Sequence, residues 1–427
     1  MKRFLLLCMS LVFVFGIMAG CSSKETAKDG ESGGDSKSGD EVVTLNFFQF
    51  KVEIADQLQE MIKEFEAEHP NIKVKLETVG GGADYGAALK AKFASGEEPD
   101  IFNNGGFKEL ELWKEKLADL SGEPWVEHVL PIGKVPMTDA DGKLYGMPVN
   151  LEGYGFVYNK DLYEKAGITE PPKTIDELKD AAKKLEAKKI TPFSAGYGEW
   201  WVIGQHLLNI PFAQQEDPEA FIAGLYDGSE KITGNKQFKE FKEVLDTELK
   251  YANDNPLTTD YNTQVTLFAS GETAMLQQGN WTENMITEIN PEINMGFLPI
   301  PISNDESAGN LPVGVPNNWV LNKNSEHLEE AKTFLNWMVS SETGKRFITE
   351  EFAFIPAFDN IEPAGLGDLG TSILDYSKEE KTIPWTWFKW PDGANKEFAA
   401  AIQEYAAGKI DYDTLLERFQ TSWDNLK

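Results

Sequence analysis

The chain has 427 residues, with 40 Lys plus Arg against 70 Asp plus Glu and a formal charge of −30. That length exceeds one ordinary core and predicts two or three domains; so strong a negative field repels phosphate backbones and anionic membrane surfaces, which argues against nucleic-acid binding and phosphorylated substrates. Two cysteines (Cys8 and Cys21) and four histidines (His69, His128, His206 and His327) argue against a disulfide framework or a Cys/His metal site, whereas 11 Trp, 12 Tyr and 26 Phe leave flat aromatic surface to be used.

Lys2 and Arg3 precede an apolar run from Phe4 to Ala19, the pattern of a secretory leader. Met18-Ala19-Gly20-Cys21 resembles a bacterial lipobox, with Met18 in place of the usual Leu. The resemblance implies removal of residues 1–20 and a diacylglyceryl group on the Cys21 thiol; a plain signal peptide or a short anchor is the alternative. Residues 22–41 hold Ser, Gly and charged groups with one Ala as the only apolar side chain, so they cannot build a core. As a coil they reach on the order of 25 Å. The expectation is a leader at 1–20, a lipidated tether at 21–41, and a domain at the cell membrane facing outward, touching lipid through its anchor alone.

The body predicts an α/β fold. Val42 to Phe48 reads as a short apolar strand. Ile54, Leu58, Met61, Ile62 and Phe65 share a stripe at helical spacing, and His69-Pro70-Asn71 stops that helix. Ile72, Val74 and Leu76 alternate with Lys73, Lys75 and Glu77, a strand with one covered face. Strand, helix, strand implies a largely parallel sheet. Leu89 and Phe93 mark another helix, and Asp100 to Phe102 a strand end. Asp141-Gly142 predicts a tight hairpin turn; a calcium loop there lacks its later acidic positions. A strand follows at Gly155 to Tyr158, and helices at Ile175 to Lys188, Phe238 to Leu249, Glu329 to Val339 and Ala394 to Ala407.

Catalytic signatures are missing. Each Gly-Lys pair lacks the upstream Gly of a phosphate loop and a following Ser or Thr. Gly80-Gly81-Gly82 follows a strand, but Tyr85 stands where a dinucleotide fingerprint needs Gly, leaving a strand-to-helix loop. Ser194 lacks the first glycine of a nucleophile elbow. The histidines stand alone, and most chance carboxylate pairs among 70 acids are solvated surface. Neither a cofactor nor a metal is expected.

The functional signal lies in four aromatic clusters. Glu199-Trp200-Trp201 is expected in a loop beside Gly196 and Gly198, Asn280-Trp281 follows Gly279, Asn317-Asn318-Trp319 follows Gly314 and Pro316, and Trp385-Thr386-Trp387-Phe388-Lys389-Trp390 follows Pro384. An indole covers the C–H face of a sugar ring while amides and carboxylates bond its hydroxyl edge, so the mixture suits a neutral saccharide. The same aromatics in acidic surroundings also suit a quaternary amine or other small cation through cation–π attraction. About half of the tryptophans are expected in the core, Trp113 and Trp337 first, because they sit on helical stripes. Pro384, Pro391 and Gly393 argue for an extended segment, in which Trp385 and Trp387 point to one side.

Further features come in a familiar order. Phe65-Glu66-Ala67-Glu68-His69-Pro70-Asn71-Ile72 is followed by Ser95-Gly96-Glu97-Glu98-Pro99-Asp100-Ile101 and by Gly142-Lys143-Leu144-Tyr145-Gly146-Met147-Pro148. Then come Tyr158-Asn159-Lys160-Asp161-Leu162, Pro171 to Leu178, Phe268-Ala269-Ser270-Gly271-Glu272-Thr273-Ala274-Met275 and Glu330 to Leu335. From Leu45 to the C-terminus the chain thereby resembles the family 1 extracellular solute-binding proteins, the maltodextrin-like sugar-binding proteins of ABC importers. These are mostly fold-making residues and do not specify the sugar.

The resemblance implies a periplasmic-binding-protein-like fold, two α/β lobes with the ligand cleft between them. It implies hinge crossings near Pro148 to Tyr154, Phe297 to Pro301 and Phe354 to Ala357, hence an N-lobe of 42–150 plus 302–354 and a C-lobe of 151–301 plus 355–427. It implies a monomer without catalytic activity that closes on a small-molecule saccharide and hands it to permease subunits. By position it assigns Gln49, Asn103, Asn104, Asn150, Glu152, Glu199, Trp200, Trp201, Asn280, Trp281, Asn318, Trp319, Trp385 and Trp387 to the cleft, Glu152 and Glu199 foremost. Several Trp clusters suggest more than one sugar subsite, and so a di- to tetrasaccharide. A secreted carbohydrate-active enzyme and an adhesion lipoprotein are the other classes that such aromatics and acids allow; the ordered features weigh against both.

Overall fold

The structure, a computed structural model, describes residues 42–305 and 309–427; the leader, Cys21 and the tether lie outside the described residues. Strand β1 (Val43–Gln49) pairs in parallel with β2 (Ile72–Thr78) and β3 (Ile101–Asn104). The intervening helix Ala55–Glu68 buries Leu58, Met61, Ile62 and Phe65, and ends at His69. The helix Tyr85–Ser95 starts at Asp84, whose side chain accepts the Ala87 N–H, a common N-terminal cap. Strand β10 (Asn318–Leu321) enters this sheet from far along the chain and runs antiparallel between β3 and β4 (Met147–Pro148). The order is β2-β1-β3-β10-β4.

The second sheet is built on β5 (Glu152–Asn159). Strand β7 (Thr273–Gly279) pairs antiparallel along one edge of it and carries β6 (Thr191–Ser194) in parallel. The other edge is shared. Strand β8 (Met295–Leu298) takes Phe156 to Asn159, and β9 (Leu311–Gly314) takes Glu152 and Gly153. Strand β11 (Thr382–Ile383) extends β9. Each sheet has its own core. Phe47, Phe65, Trp319, Phe334 and Trp337 meet edge to face in the first, with Trp113 also buried there. Phe156, Phe193, Phe212, Phe238 and Trp423 fill the second. Two sheet-bearing lobes result, an α/β fold of the periplasmic-binding-protein type. Among the described residues no helix is long and apolar enough to cross a membrane.

The chain leaves the first sheet at Pro148 and enters the second at Glu152. The crossing expected at Phe297 to Pro301 is displaced. Ile302 belongs to the second core, and β9 still pairs with β5, because Val313 and Gly314 take Gly153 and Glu152, the stretch of edge that β8 leaves open. The chain passes over at Val315 to Asn317 instead. The last crossing also comes later than Phe354 to Ala357: Ile355 bridges to Leu151, but Phe358 and Ile361 remain in the first core, and the chain reaches the second lobe by Leu369.

Three local expectations change. Asp141-Gly142 turns the chain, but only the isolated bridge Thr138–Leu144 closes it; the Asp139 carboxylate accepts the N–H groups of Asp141 and Lys143. Trp200 and Trp201 start a helical segment, not a loop, that runs through the π-turn Val202–Leu207 into Leu208–Ala213. Trp387–Lys389 is a 3-10 turn and not extended. The helices Pro218–Asp227, Tyr261–Ala269 and Tyr412–Leu426 each open on an Asp side chain that accepts a backbone N–H. Short or mixed apolar stripes hide the first two in the sequence; Tyr412–Leu426 carries a regular one, with Tyr412, Leu415, Leu416, Phe419 and Trp423 on its buried face.

Candidate functional site

A cleft of about 350 Å³ lies between the lobes. The first lobe contributes the exit of β1 (Phe50, Lys51 and Glu53) and the loop Gly80 to Tyr85 that follows β2. The second contributes Trp200, Trp201, His206, Tyr261, Trp281, Trp385, Trp387 and Phe388. Both sheets thus present strand ends and the loops after them, where ligands of open α/β sheets are held.

The rings of the second lobe form one aromatic wall. Trp385 and Trp387 lie 4.6 Å apart at 31°, Trp281 stands 6.5 Å from Trp385 at a right angle, and Trp201 is 6.5 Å from Trp281. His206 sits among them, 5.0 Å from Trp281 and 5.2 Å from Trp387, and stacked on Tyr154 at 4.7 Å. The π-turn explains its placement: residues five apart share a face there, so His206 meets Trp201 at 5.2 Å. Asn209, on the helix that follows, fixes the far end of the wall. Its Oδ1 accepts the Thr386 N–H at 2.8 Å and the Thr386 hydroxyl at 2.7 Å, and its Nδ2 donates to the Pro384 carbonyl at 3.0 Å. Trp281 Nε1 donates to Gln278 Oε1 at 3.0 Å, whereas Trp385 Nε1, Tyr261 OH and His206 Nδ1 are buried without a partner.

Lys51 is the cleft's buried cation. Its Nζ lies 2.5 Å from Glu152 and 2.8 Å from Glu53, and Asn150 Nδ2 adds a hydrogen bond to the same Glu152 oxygen at 3.1 Å. Burial works against the ammonium, but Glu152 and Glu53 outweigh it and hold Lys51 above its ordinary pKa. Burial pushes the Glu152 carboxyl up while Lys51 draws it back. The His206 imidazole is pushed down to about 3 by burial and is neutral at ordinary pH. Among the described residues no group of three His, Cys, Asp or Glu side chains is arranged to hold a metal.

Along one rim, residues 388–396 of the second lobe meet the first lobe. The Phe388 ring covers Gly105 so closely that a Cβ there would stand 2.4 Å from Cε1. Lys389 Nζ lies 4.6 Å above the Phe107 ring, Asp392 is 3.0 Å from Lys90 Nζ, and Lys396 pairs with Asp84. Nearby, a Cβ on Gly82, which holds φ +96°, would stand 3.0 Å from the Glu199 carboxylate of the opposite lobe. The lobes are therefore in contact across the cleft.

Of the residues expected there, Glu152, Trp200, Trp201, Trp281, Trp385 and Trp387 line the cleft. The others stand behind it. Gln49 folds around the exit of β1, accepting the Lys51 N–H at 2.6 Å and donating to the Lys51 carbonyl and Thr78, so it positions Lys51. Asn103 Oδ1 accepts the Phe50 N–H, and Asn104 Oδ1 the Gly106 N–H. Asn150 holds Glu152, Asn280 Oδ1 accepts the Gly153 N–H, and Glu199 Oε1 accepts the Tyr261 N–H. Asn318 donates to the Asn104 carbonyl, and Trp319 is core, its ring 5.9 Å from Phe47. Asn and Gln beside strand ends find backbone partners first, which removes them from the wall. Sequence reasoning passed over Phe50, Lys51, His206, Tyr261 and Lys396; only Lys51, an isolated cation directly after an apolar strand, carried a readable signal.

The model of the bacterial extracellular solute-binding protein family matches residues 51–345. The chain is 27% identical over 323 residues to the multiple sugar-binding protein of Streptococcus mutans, covering 73% of this chain and 74% of that one. It is 25% identical over 365 residues to the melibiose/raffinose/stachyose-binding protein of Bacillus subtilis, covering 81% and 79%. Among solved structures, a sugar transporter protein from Bacillus licheniformis in complex with stachyose superposes with a TM-score of 0.75 at 26% identity, over 90% of this chain and all of that one. With a two-lobed fold, a cleft at the strand ends and a family match across both lobes, the chain belongs to the bacterial extracellular solute-binding proteins.

Proposed function

We propose that the chain is the substrate-binding component of a carbohydrate ABC importer, and that it captures a neutral oligosaccharide of two to four rings without turning it over. The observation that carries this reading is the aromatic wall of Trp201, Trp281, Trp385 and Trp387 along a cleft of about 350 Å³. Rings set at angles to one another offer separate flat faces, each suited to the C–H face of one sugar ring. Glu53 and Glu152 share one ammonium, so the cleft disfavours anionic sugars. Relatives named for raffinose, stachyose and multiple sugars support the same class.

In this reading the first lobe is 42–150 plus about 315–361 and the second is 151–314 plus about 366–427. The rim contacts belong to the closed state that the permease subunits receive, and Cys21 holds the protein at the outer face of the cell membrane. A thermal-shift panel of neutral oligosaccharides, with betaine and peptides as controls, tests the ligand class, and calorimetry then fixes the ring number. Stabilisation by betaine alone, or consumption of a bound sugar over hours, would overturn it.

A further inference from the structure

We propose that Glu109 couples closure of the lobes to the uptake of one proton from solvent, so that the ligand is held more tightly as the pH falls. The inference rests on the reading of the cleft as one that closes by lobe movement. Glu109 belongs to the first lobe, on the short helix Lys108–Trp113, and its Oε2 accepts the Gly105 N–H at 2.7 Å. Two of the groups beside it come from the other lobe, while Tyr85 and Lys90 belong to its own. Phe388 lies over Gly105 at the point where a Cβ would also stand 2.9 Å from that carboxylate oxygen, and Asp392 brings a second negative charge. Closure therefore takes a solvated carboxylate, removes part of its water, leaving Glu109 half-buried where it lines the cleft, and brings Asp392, itself paired with Lys90, near it. Both changes favour the neutral acid.

The surrounding cations do not offset this. Lys90 favours the ionised form but is paired with Asp392 at 3.0 Å. On the helix of Glu109 itself, Lys108 is paired with Glu111 at 3.0 Å. Lys389 is paired with Glu219 and Lys396 with Asp84. Burial holds the neighbouring Tyr85 phenol far above its ordinary pKa, so it adds no charge. In the closed arrangement burial, with Asp392 adding to it, pushes the Glu109 carboxyl up to about 7, with the Gly105 N–H and Lys90 working against the shift. With the lobes apart, Phe388 and Asp392 leave and the carboxyl returns to the ordinary range near 4.3. The sign follows: between these two values the closed state binds the extra proton, and affinity falls as pH rises through about 7.

The test is calorimetry with raffinose as the probe, in buffers of different ionisation heat, from pH 5.5 to 8. The wild type should take up roughly half a proton on binding at pH 7, and bind several-fold to about tenfold more tightly at pH 6 than at pH 7.5. Glu109→Gln, a fixed mimic of the neutral acid, should take up none and keep the low-pH affinity throughout. Asp392→Asn should move the transition to lower pH. No uptake in the wild type, or uptake retained in Glu109→Gln, overturns the proposal. Failure of raffinose to bind counts against the ligand class alone, and the compound that the thermal-shift panel identifies then replaces it as the probe in the same titrations, where an affinity difference between Glu109→Gln and wild type that stays constant from pH 5.5 to 8 overturns the proposal.

Discussion

Replacing Gly105 by Ala should weaken ligand binding while leaving the unliganded fold intact. The position is not one that needs a left-handed backbone, so Ala can occupy it. The added methyl would meet Phe388 Cε1 at 2.4 Å, Cδ1 at 2.6 Å and Glu109 Oε2 at 2.9 Å. Carbon atoms settle about 3.5–4.0 Å apart, so ring and glycine must separate by about 1 Å. Phe388 belongs to the opposite lobe, so the collision with its ring exists only when the lobes meet; the Glu109 carboxylate, in the same lobe as Gly105, is the end of a flexible side chain and can shift. Overpacking of this size costs about 1–3 kcal/mol, which raises the dissociation constant about fivefold to 150-fold. Calorimetry gives the affinity, and small-angle scattering with saturating sugar gives the compaction. Gly105→Ala combined with Phe388→Ala should regain closure, because the methyl then takes the space of the ring. Wild-type affinity in the single variant, or a fall in ligand-free melting equal to the fall in binding energy, would refute the assignment of this contact to closure.

Trp281→Ala should reduce sugar affinity about ten- to a hundredfold with a smaller loss in melting temperature, since that ring is half-buried at the wall. Trp390→Ala should do the reverse and lose about 3–5 kcal/mol of stability, because its ring is in the core 4.3 Å from Phe212; equal effects from both variants in paired melting and calorimetry would contradict the placement of the wall. His206, held neutral by burial with a pKa near 3, stabilises the fold fully above its unfolded value near 6.5 and loses that contribution as pH falls towards 3. By pH 5 the loss is about 2 kcal/mol, and a His206→Gln variant should lack this part of the acid dependence in denaturant titrations. Cys21→Ala should move the protein from the membrane to the medium with its sugar affinity unchanged, as fractionation and calorimetry would report; retention at the membrane would assign the anchor to the apolar leader.

What the sequence revealed follows from the range of the forces involved. The helix Ala55–Glu68 was legible because its stripe and its stop at His69 are local. The Trp clusters were legible as a wall because Trp385 and Trp387 are near neighbours whatever the backbone does between them, even in a 3-10 turn. The lobe boundaries were not. Strand β9 joins the second lobe through pairing with Glu152 and Gly153, far back in the chain, and four apolar residues read alike in either sheet. The polar site residues were misplaced for a different reason: Gln49 is spent on the backbone two residues on, and Asn103 and Asn280 on the distant backbone N–H groups of Phe50 and Gly153, which the sequence does not show as neighbours. His206 was hidden because five-residue spacing from Trp201 matches no regular helix.

The insertion of β10 between β3 and β4 bears on how this protein is made. Asn318 donates to the Asn104 carbonyl across 214 positions, and without β10 the first lobe has a gap in the middle of its sheet. During synthesis, β1 to β4 emerge long before the strand that joins them, and the second lobe's central sheet must be threaded out between. Pairings of such separation form slowly. A growing chain lacks the strand that completes its first sheet until about three quarters of it has been made. The same delay leaves the edge of β3 uncovered meanwhile, open to pairing with another chain. The separation of β3 from β10 thus ties the late completion of the first sheet to its exposure to aggregation.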